Sequence, residues 1–202
     1  MNRDNKQTDP PGKTKLIAAL RHLLEEKNFN SITTAEISNA AGVNEALIYR
    51  YFGGKRGLLH RVLAEYLEET LDSISPNLEN VDDPAKLLER IIHDTMDIYN
   101  WNRVFAKIVL IEVRSSIGYF ESNAYQLAKN YARLYVNIIK KGMEKGQFRN
   151  DIHPNYIRDA LIGSMEQMTM PDVIYERDID ANAYTQSICE IIYNGVAVRE
   201  YE

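Results

Sequence analysis

At 202 residues, 45% hydrophobic and 26% charged, the chain is long enough for one large or two small domains with a sizeable core. No apolar run approaches the roughly 20 residues that span a bilayer, and the opening MNRDNKQTDPPGK lacks a signal peptide's hydrophobic segment, so no membrane partner and a cytoplasmic location are expected. The net charge of −5 would disfavour a nucleic-acid partner if it were evenly spread, but the part up to Arg61 balances at +4 and the rest at −9, and phosphate binding depends on local cations.

Residues 1 to about 12 are polar and contain Pro10-Pro11-Gly12; with Arg3 and Lys6 alternating with Asp4 and Asp9 they read as a solvated arm. From Lys13 to Lys27, Leu16, Ile17, Leu20, Leu23 and Leu24 form one stripe of an amphipathic helix, closed by Phe29. The rest of the chain is organised around the stretch TTAEISNAAGVNEALIYRYFGGK, Thr33 to Lys55. Thr33 and Glu36 have capping-box spacing, Gly42 can take the positive φ of a sharp corner, and Asn44 can cap a second helix through its side-chain oxygen. Two short helices, Thr33–Ala40 and Asn44–Phe52, therefore meet at Ala41-Gly42-Val43. Ile37, Ala40, Val43, Leu47 and Ile48 supply an inner face, leaving Asn44, Glu45, Ala46, Tyr49, Arg50 and Tyr51 outward or sideways. A helix-turn-helix presents such a face to the major groove; an ordinary αα-corner is the other reading.

After Gly53-Gly54, an amphipathic run from Lys55 to about Ile74 places Leu58, Leu59, Val62, Leu63, Tyr66, Leu67 and Leu71 on one face and Glu65, Glu68 and Glu69 on the solvated one. Ser75 to Asp83 reads as a loop, and Asp83-Pro84 restarts a helix to about Asn100 with Asp as N-cap and Pro at the first position. Further helices are expected at Asn102–Ser116, from Tyr119 or Phe120 to Lys145, at Pro154–Met170 and from Ile179 to about Arg199. There are about nine in all, and no strand-like alternation, so the fold class is all-α. Cys189, the single cysteine, lies in the apolar run SICEIIY and reads as a small buried hydrophobe. His22, His60, His93 and His153 lack metal-site spacing, and Gly53-Gly54-Lys55 lacks the leading glycine of a phosphate loop; no catalytic residue, metal or cofactor is expected.

From Lys15 to Leu59 the sequence resembles the DNA-binding domain of the tetracycline-repressor (TetR) family of transcriptional regulators. The resemblance runs through Ala18-Ala19, Phe29, Thr33-Thr34, Ile37, Ala40-Ala41-Gly42-Val43, Ile48-Tyr49, Tyr51-Phe52, Lys55 and Leu58-Leu59. It implies a three-helix helix-turn-helix domain over residues 10–70, with its motif at about 33–52. A long fourth helix would join it to a helical ligand-binding and dimerisation domain over 71–202. By position, Thr34, Tyr49, Tyr51 and Lys55 would touch phosphates. Asn44, Glu45, Ala46 and Arg50 have the chemistry to read bases, although Asn44 is also the candidate cap.

The family also implies an effector cavity, for which Tyr66, His93, Tyr99, Trp101, Arg103, Phe105, Arg114 and Tyr125 are candidates; core packing is the competing role for each aromatic, and a salt bridge to another helix for Arg114. The last two helices would pair between subunits through Tyr156, Ala160, Gly163, Ser164, Tyr184, Ile188, Ile192 and Gly195, or else complete the subunit's own core. The expected protein is a homodimeric, ligand-responsive regulator, a repressor, binding a partly palindromic double-stranded DNA operator and answering to a small-molecule effector. The rival is a helical binding protein whose helix-turn-helix assembles with a protein partner.

Overall fold

The structure, a computed structural model, describes residues 9–74 and 81–196. The arm residues Arg3, Asp4 and Lys6, most of the expected loop at 75–83 and the end of the last helix near Arg199 lie outside the described residues. Helix α1 (Pro11–Glu26) begins earlier than its apolar stripe, because Pro11 at the first position has no N–H to satisfy and Asp9 accepts from the Lys13 ammonium at 2.8 Å. A single 3₁₀ turn, Phe29–Ser31, buries Phe29.

Helix α2 (Thr34–Ala41) opens on the expected capping box: Thr33 Oγ1 accepts from the Glu36 N–H at 3.1 Å, and Glu36 Oε2 accepts from the Thr33 N–H at 2.8 Å. Lys27 donates to the same carboxylate at 2.7 Å, and together with the Thr33 bonds it lowers the Glu36 pKa to about 2. Gly42, at φ 62°, ends the helix, with Val43 N–H returning to Ser38 O at 3.1 Å. One expectation is corrected here: Ala40 is exposed, and Ala41, one turn on from Ile37, takes the inward position.

Helix α3 (Ala46–Phe52) starts two residues later than expected, after Asn44 Oδ1 accepts from Ala46 N–H at 2.8 Å. Gly53 at φ 71° turns the chain into α4 (Lys55–Ile74). Gly57 is obligatory there, since a Cβ would lie 1.8 Å from Phe52 O. Leu16, Leu20, Phe29, Ile32, Ile37, Ile48, Leu58 and Leu59 close the small core of this unit. Arg21 ties α1 to α4 by lying over the Tyr66 ring at 4.2 Å and gripping Glu69 with two bonds of 2.7 and 3.0 Å.

In the second part of the chain, α5 (Pro84–Trp101) is capped by Asp83, whose Oδ1 accepts from Ala85 N–H at 3.0 Å. The helix expected over 102–116 is shorter: α6 (Arg103–Lys107) passes into a π turn, Ile108–Glu112, closed by Val113 N–H to Ile108 O at 3.2 Å. The run expected from 119 to 145 is two helices, α7 (Ile117–Phe120) and α8 (Asn123–Glu144). Ser122 divides them: its hydroxyl donates to Tyr119 O at 2.6 Å and accepts from Tyr125 N–H at 3.3 Å, so it caps a new helix. Helix α9 (Pro154–Ile174) continues past Met170 through Pro171, and α10 (Ala181–Val196) follows. The described residues thus form ten α-helices where about nine were expected, and the all-α class holds. α4 packs on α1 and α8, α5 on α8 and α10, and α9 on α8 and α10. Cys189 is buried, and desolvation pushes its thiol up to about 11.

Candidate nucleic-acid interface and internal cavity

Helix α3 buries Ile48 completely and leaves its other side bare: Asn44, Ala46, Tyr49 (58% exposed) and Arg50 are open to solvent, while Glu45, Tyr51 and Thr34 are half-buried. The Asn44 carbonyl oxygen is spent on its cap, so its carboxamide offers N–H donors outward. Lys55 has a role that its sequence position did not reveal. Its ammonium donates to Phe29 O at 2.9 Å and Ile32 O at 2.6 Å and lies 4.4 Å from the Phe29 ring centre, clamping the turn between α1 and α2 to the start of α4. Burial, with Arg56 nearby, lowers its pKa. Two of its three donors are committed, which leaves one for any outside partner.

A cavity of about 670 Å³ lies between α4, α5, the π turn, α7, α8 and α9. Tyr99, Phe105, Arg114 and Tyr125 line it, as do Thr95, Tyr119, Lys129, Tyr131 and Glu166. The other four candidates stand elsewhere, which corrects their placement. Tyr66 lies beneath Arg21; His93 bonds Asn182 at 3.1 Å and faces Asp97 on α5; Trp101 is exposed at the end of α5; Arg103 donates to Asn100 and to Arg177 O. Arg114 meets Glu166 of α9 at 2.5 Å, the interhelical bridge weighed as its alternative. Deep in the wall, Thr95 Oγ1 donates to Ile91 O at 2.6 Å and meets the hydroxyls of Tyr131 at 2.5 Å and Tyr135 at 2.9 Å. Burial raises both phenols. Part of this lining was legible: Tyr125, Ala128, Lys129 and Ala132 share one face of α8 by helical spacing. Thr95 and Glu166 carried no such signal, because their partners are on other helices.

Of the residues expected between subunits, Tyr156, Ala160, Gly163 and Gly195 are exposed, and Ser164 and Tyr184 half-buried. Tyr184 donates to Asp172, which also holds Arg177 at 2.9 Å. Ile188 and Ile192 are corrected: they are buried in the subunit's own core, where α10 packs on α5. Ile191, between them in sequence but rotated to the free side, is 65% exposed.

Comparison with known proteins decides the family. The model for "bacterial regulatory proteins, tetR family" matches residues 16–62, and that for the "YsiA-like protein, C-terminal region" matches 63–195. The chain belongs to the TetR family of transcriptional regulators. This TetR-family chain is 26% identical over 169 residues to the probable HTH-type transcriptional regulator YttP of Bacillus subtilis (strain 168), covering 81% of itself and 80% of the relative. It is 26% identical over 113 residues to the HTH-type transcriptional repressor BdcR of Escherichia coli (strain K12), covering 53% and 57%. Its fold matches the regulator FadR from Bacillus subtilis, solved in complex with stearoyl-CoA, at a TM-score of 0.78 and 18% identity over 90% of this chain and 98% of that one. A putative transcriptional regulator from Saccharomonospora viridis, solved in complex with choline, matches at 0.74 and 15%, covering 93% and 98%. The protein is thus a DNA-binding regulator of transcription, and the reading as a protein-assembly module gives way. Among the described residues no helix is long and apolar enough to cross a membrane.

Proposed function

We propose that this TetR-family chain is a cytoplasmic homodimeric repressor that holds a partly palindromic operator and lets it go when a small molecule fills the cavity. The observation that carries the DNA reading is the bare side of α3, with Tyr49 and Arg50 exposed while Ile48 behind them is sealed in the core. Residues 10–70 form the DNA-binding unit and 71–202 the effector and dimerisation unit, with α4 crossing between them. The Tyr49 and Tyr51 phenols, the Thr34 hydroxyl and the remaining Lys55 donor contact phosphates. Asn44, Glu45, Ala46 and Arg50 face the base edges, with Asn44 confined to acceptor groups by its cap.

Pairing runs through Tyr156, Ala160, Gly163, Ser164, Ile191 and Gly195, with Tyr184 at the edge, and sets two α3 helices for half-sites about 34 Å apart. Repression is supported by the similarity to the repressor BdcR. An apolar, chain-bearing effector is supported by the aromatic and aliphatic lining, and by the stearoyl-CoA in the FadR structure. The choline in the other neighbour shows that the fold alone does not choose the ligand.

The test is fluorescence anisotropy of the purified protein with oligonucleotides selected from a random pool. Affinity is expected to fall about 10³-fold between about 50 and 200 mM salt. Failure to enrich any sequence, or a monomer at micromolar concentration, would overturn the proposal.

A further inference from the structure

We propose that Arg114 reads an anionic head group on the effector, taking it in exchange for Glu166, so that the cavity selects amphiphiles with a negative head over neutral or cationic ones. The inference rests on the reading of the cavity as an effector site. Its lining carries three cations, Arg114, Lys129 and Arg158, against two carboxylates, Asp159 and Glu166. Arg158 is held by its neighbour Asp159 through bonds of 2.9 and 2.7 Å. Lys129 lies 5.0 Å from the Tyr125 ring centre and has no carboxylate partner among the described residues. The cavity wall is therefore one positive charge in excess.

Arg114 is the cation best placed to use that excess. Glu166 meets it through Nη2 and Oε1 at 2.5 Å, while Nε donates to Val109 O at 3.3 Å. An incoming carboxylate or phosphate can take two parallel N–H donors of the guanidinium. Exchange is open to water as well: 48% of the Arg114 side chain and 21% of the Glu166 side chain are exposed, so the displaced carboxylate can be resolvated. Leu67, Ile98, Val109 and Ile162, also in the lining, supply the surface for an apolar tail.

The test is isothermal titration with four probes sharing one chain: dodecanoate, dodecanol, dodecyltrimethylammonium and dodecanoyl-CoA. The intact protein is expected to bind dodecanoate about tenfold or more tighter than dodecanol, the span of a hydrogen bond to a charged group. Arg114→Met is expected to erase that preference, and Arg114→Lys, which keeps the charge but not the fork, to keep part of it. Glu166→Gln should tighten dodecanoate by up to about fivefold, because the competing ion pair is gone. If Arg114→Met weakens only the free acid, the head is a carboxylate; if it weakens the CoA thioester too, phosphate is read as well; both support the proposal. Equal binding of acid and alcohol, a preference untouched in Arg114→Met, tightest binding of the ammonium, or no binding of any probe overturns it. Head-selective binding that leaves DNA bound would instead sink the effector reading and leave the anion site standing.

Discussion

Replacing Lys55 by Met removes a clamp whose strength can be worked out from its contacts. The ammonium satisfies two carbonyls, Phe29 O and Ile32 O, on residues that are themselves buried, and Met keeps the aliphatic stem but no donor. A hydrogen bond to a charged group contributes about 1.5–3 kcal/mol when well shielded; with the ammonium still partly in water, about 2 kcal/mol for the pair is the reasonable figure. For a chain of this size that corresponds to a fall in Tm of roughly 4–8 °C. The assay is thermal unfolding by circular dichroism beside DNA titrations at several salt concentrations. Loss of the clamp lowers Tm, and loss of the one remaining donor's phosphate contact reduces the salt slope of DNA binding by about one. A Tm within about 1 °C of the parent would refute the assignment of Lys55 as a clamp, and an unchanged slope would refute its phosphate contact.

Gly57→Ala puts a Cβ on the Phe52 carbonyl, where backbone on both sides must give; a loss of about 3 kcal/mol is expected, read as a lower urea midpoint. Ile191→Asp sits on an exposed site, so the subunit's own stability should change by less than about 0.5 kcal/mol, while sedimentation velocity should find monomers because the pairing surface now carries a charge. Glu36 has a folded-state pKa of about 2 against an ordinary 4.5, so its contribution is present above 4.5 and is lost as pH falls from there towards 2. Glu36→Gln is expected to flatten the stability profile across that window, and an unchanged profile would mean that the Thr33 and Lys27 contacts do not favour the charged form.

What could be read from the chain was what local chemistry decides. Thr33, Glu36, Gly42 and Asn44 each act within three or four positions of themselves, and the corner they specify is the one observed. Lys55 was legible as a cation at a helix start but not as a clamp, because its carbonyl partners lie 26 and 23 positions away. On α10 the sequence offers Ile188, Ile191 and Ile192 in nearly adjacent positions; all three are apolar, so only the placement of α5 tells which pair belongs to the core and which residue is left outside. The same limit applies to the cavity. Arg114 signals a partner by being charged on an apolar segment, but that the partner is Glu166, and that the pair stands at a cavity wall, depends on where the tertiary fold places α9.

The two sites are joined by one helix, and this limits how a ligand can act. At 20 residues α4 is about 30 Å long. Its first turn bears on α3 through Gly57, its second presents His60 to the Tyr119 ring at 6.0 Å, and its later turns bring Leu67 and Thr70 to the cavity wall. Among the described residues His60 Nε2 is buried without a hydrogen-bond partner, and the His60 ring packs on that of Tyr119 of α7. Tyr119 is itself part of the cavity lining, so a ligand that moves it bears on α4 through His60. Continuity alone does not make a switch. A ligand shifts α3 only as far as it binds the two settings of α4 with different affinity, a difference of about 1–3 kcal/mol in typical regulators. Amide hydrogen exchange with and without ligand separates the cases. Changes that spread from residues 67–74 back to the first turn of α4 accompany a shift, and changes confined to the cavity end leave the two α3 helices at their original spacing however tightly the ligand is held.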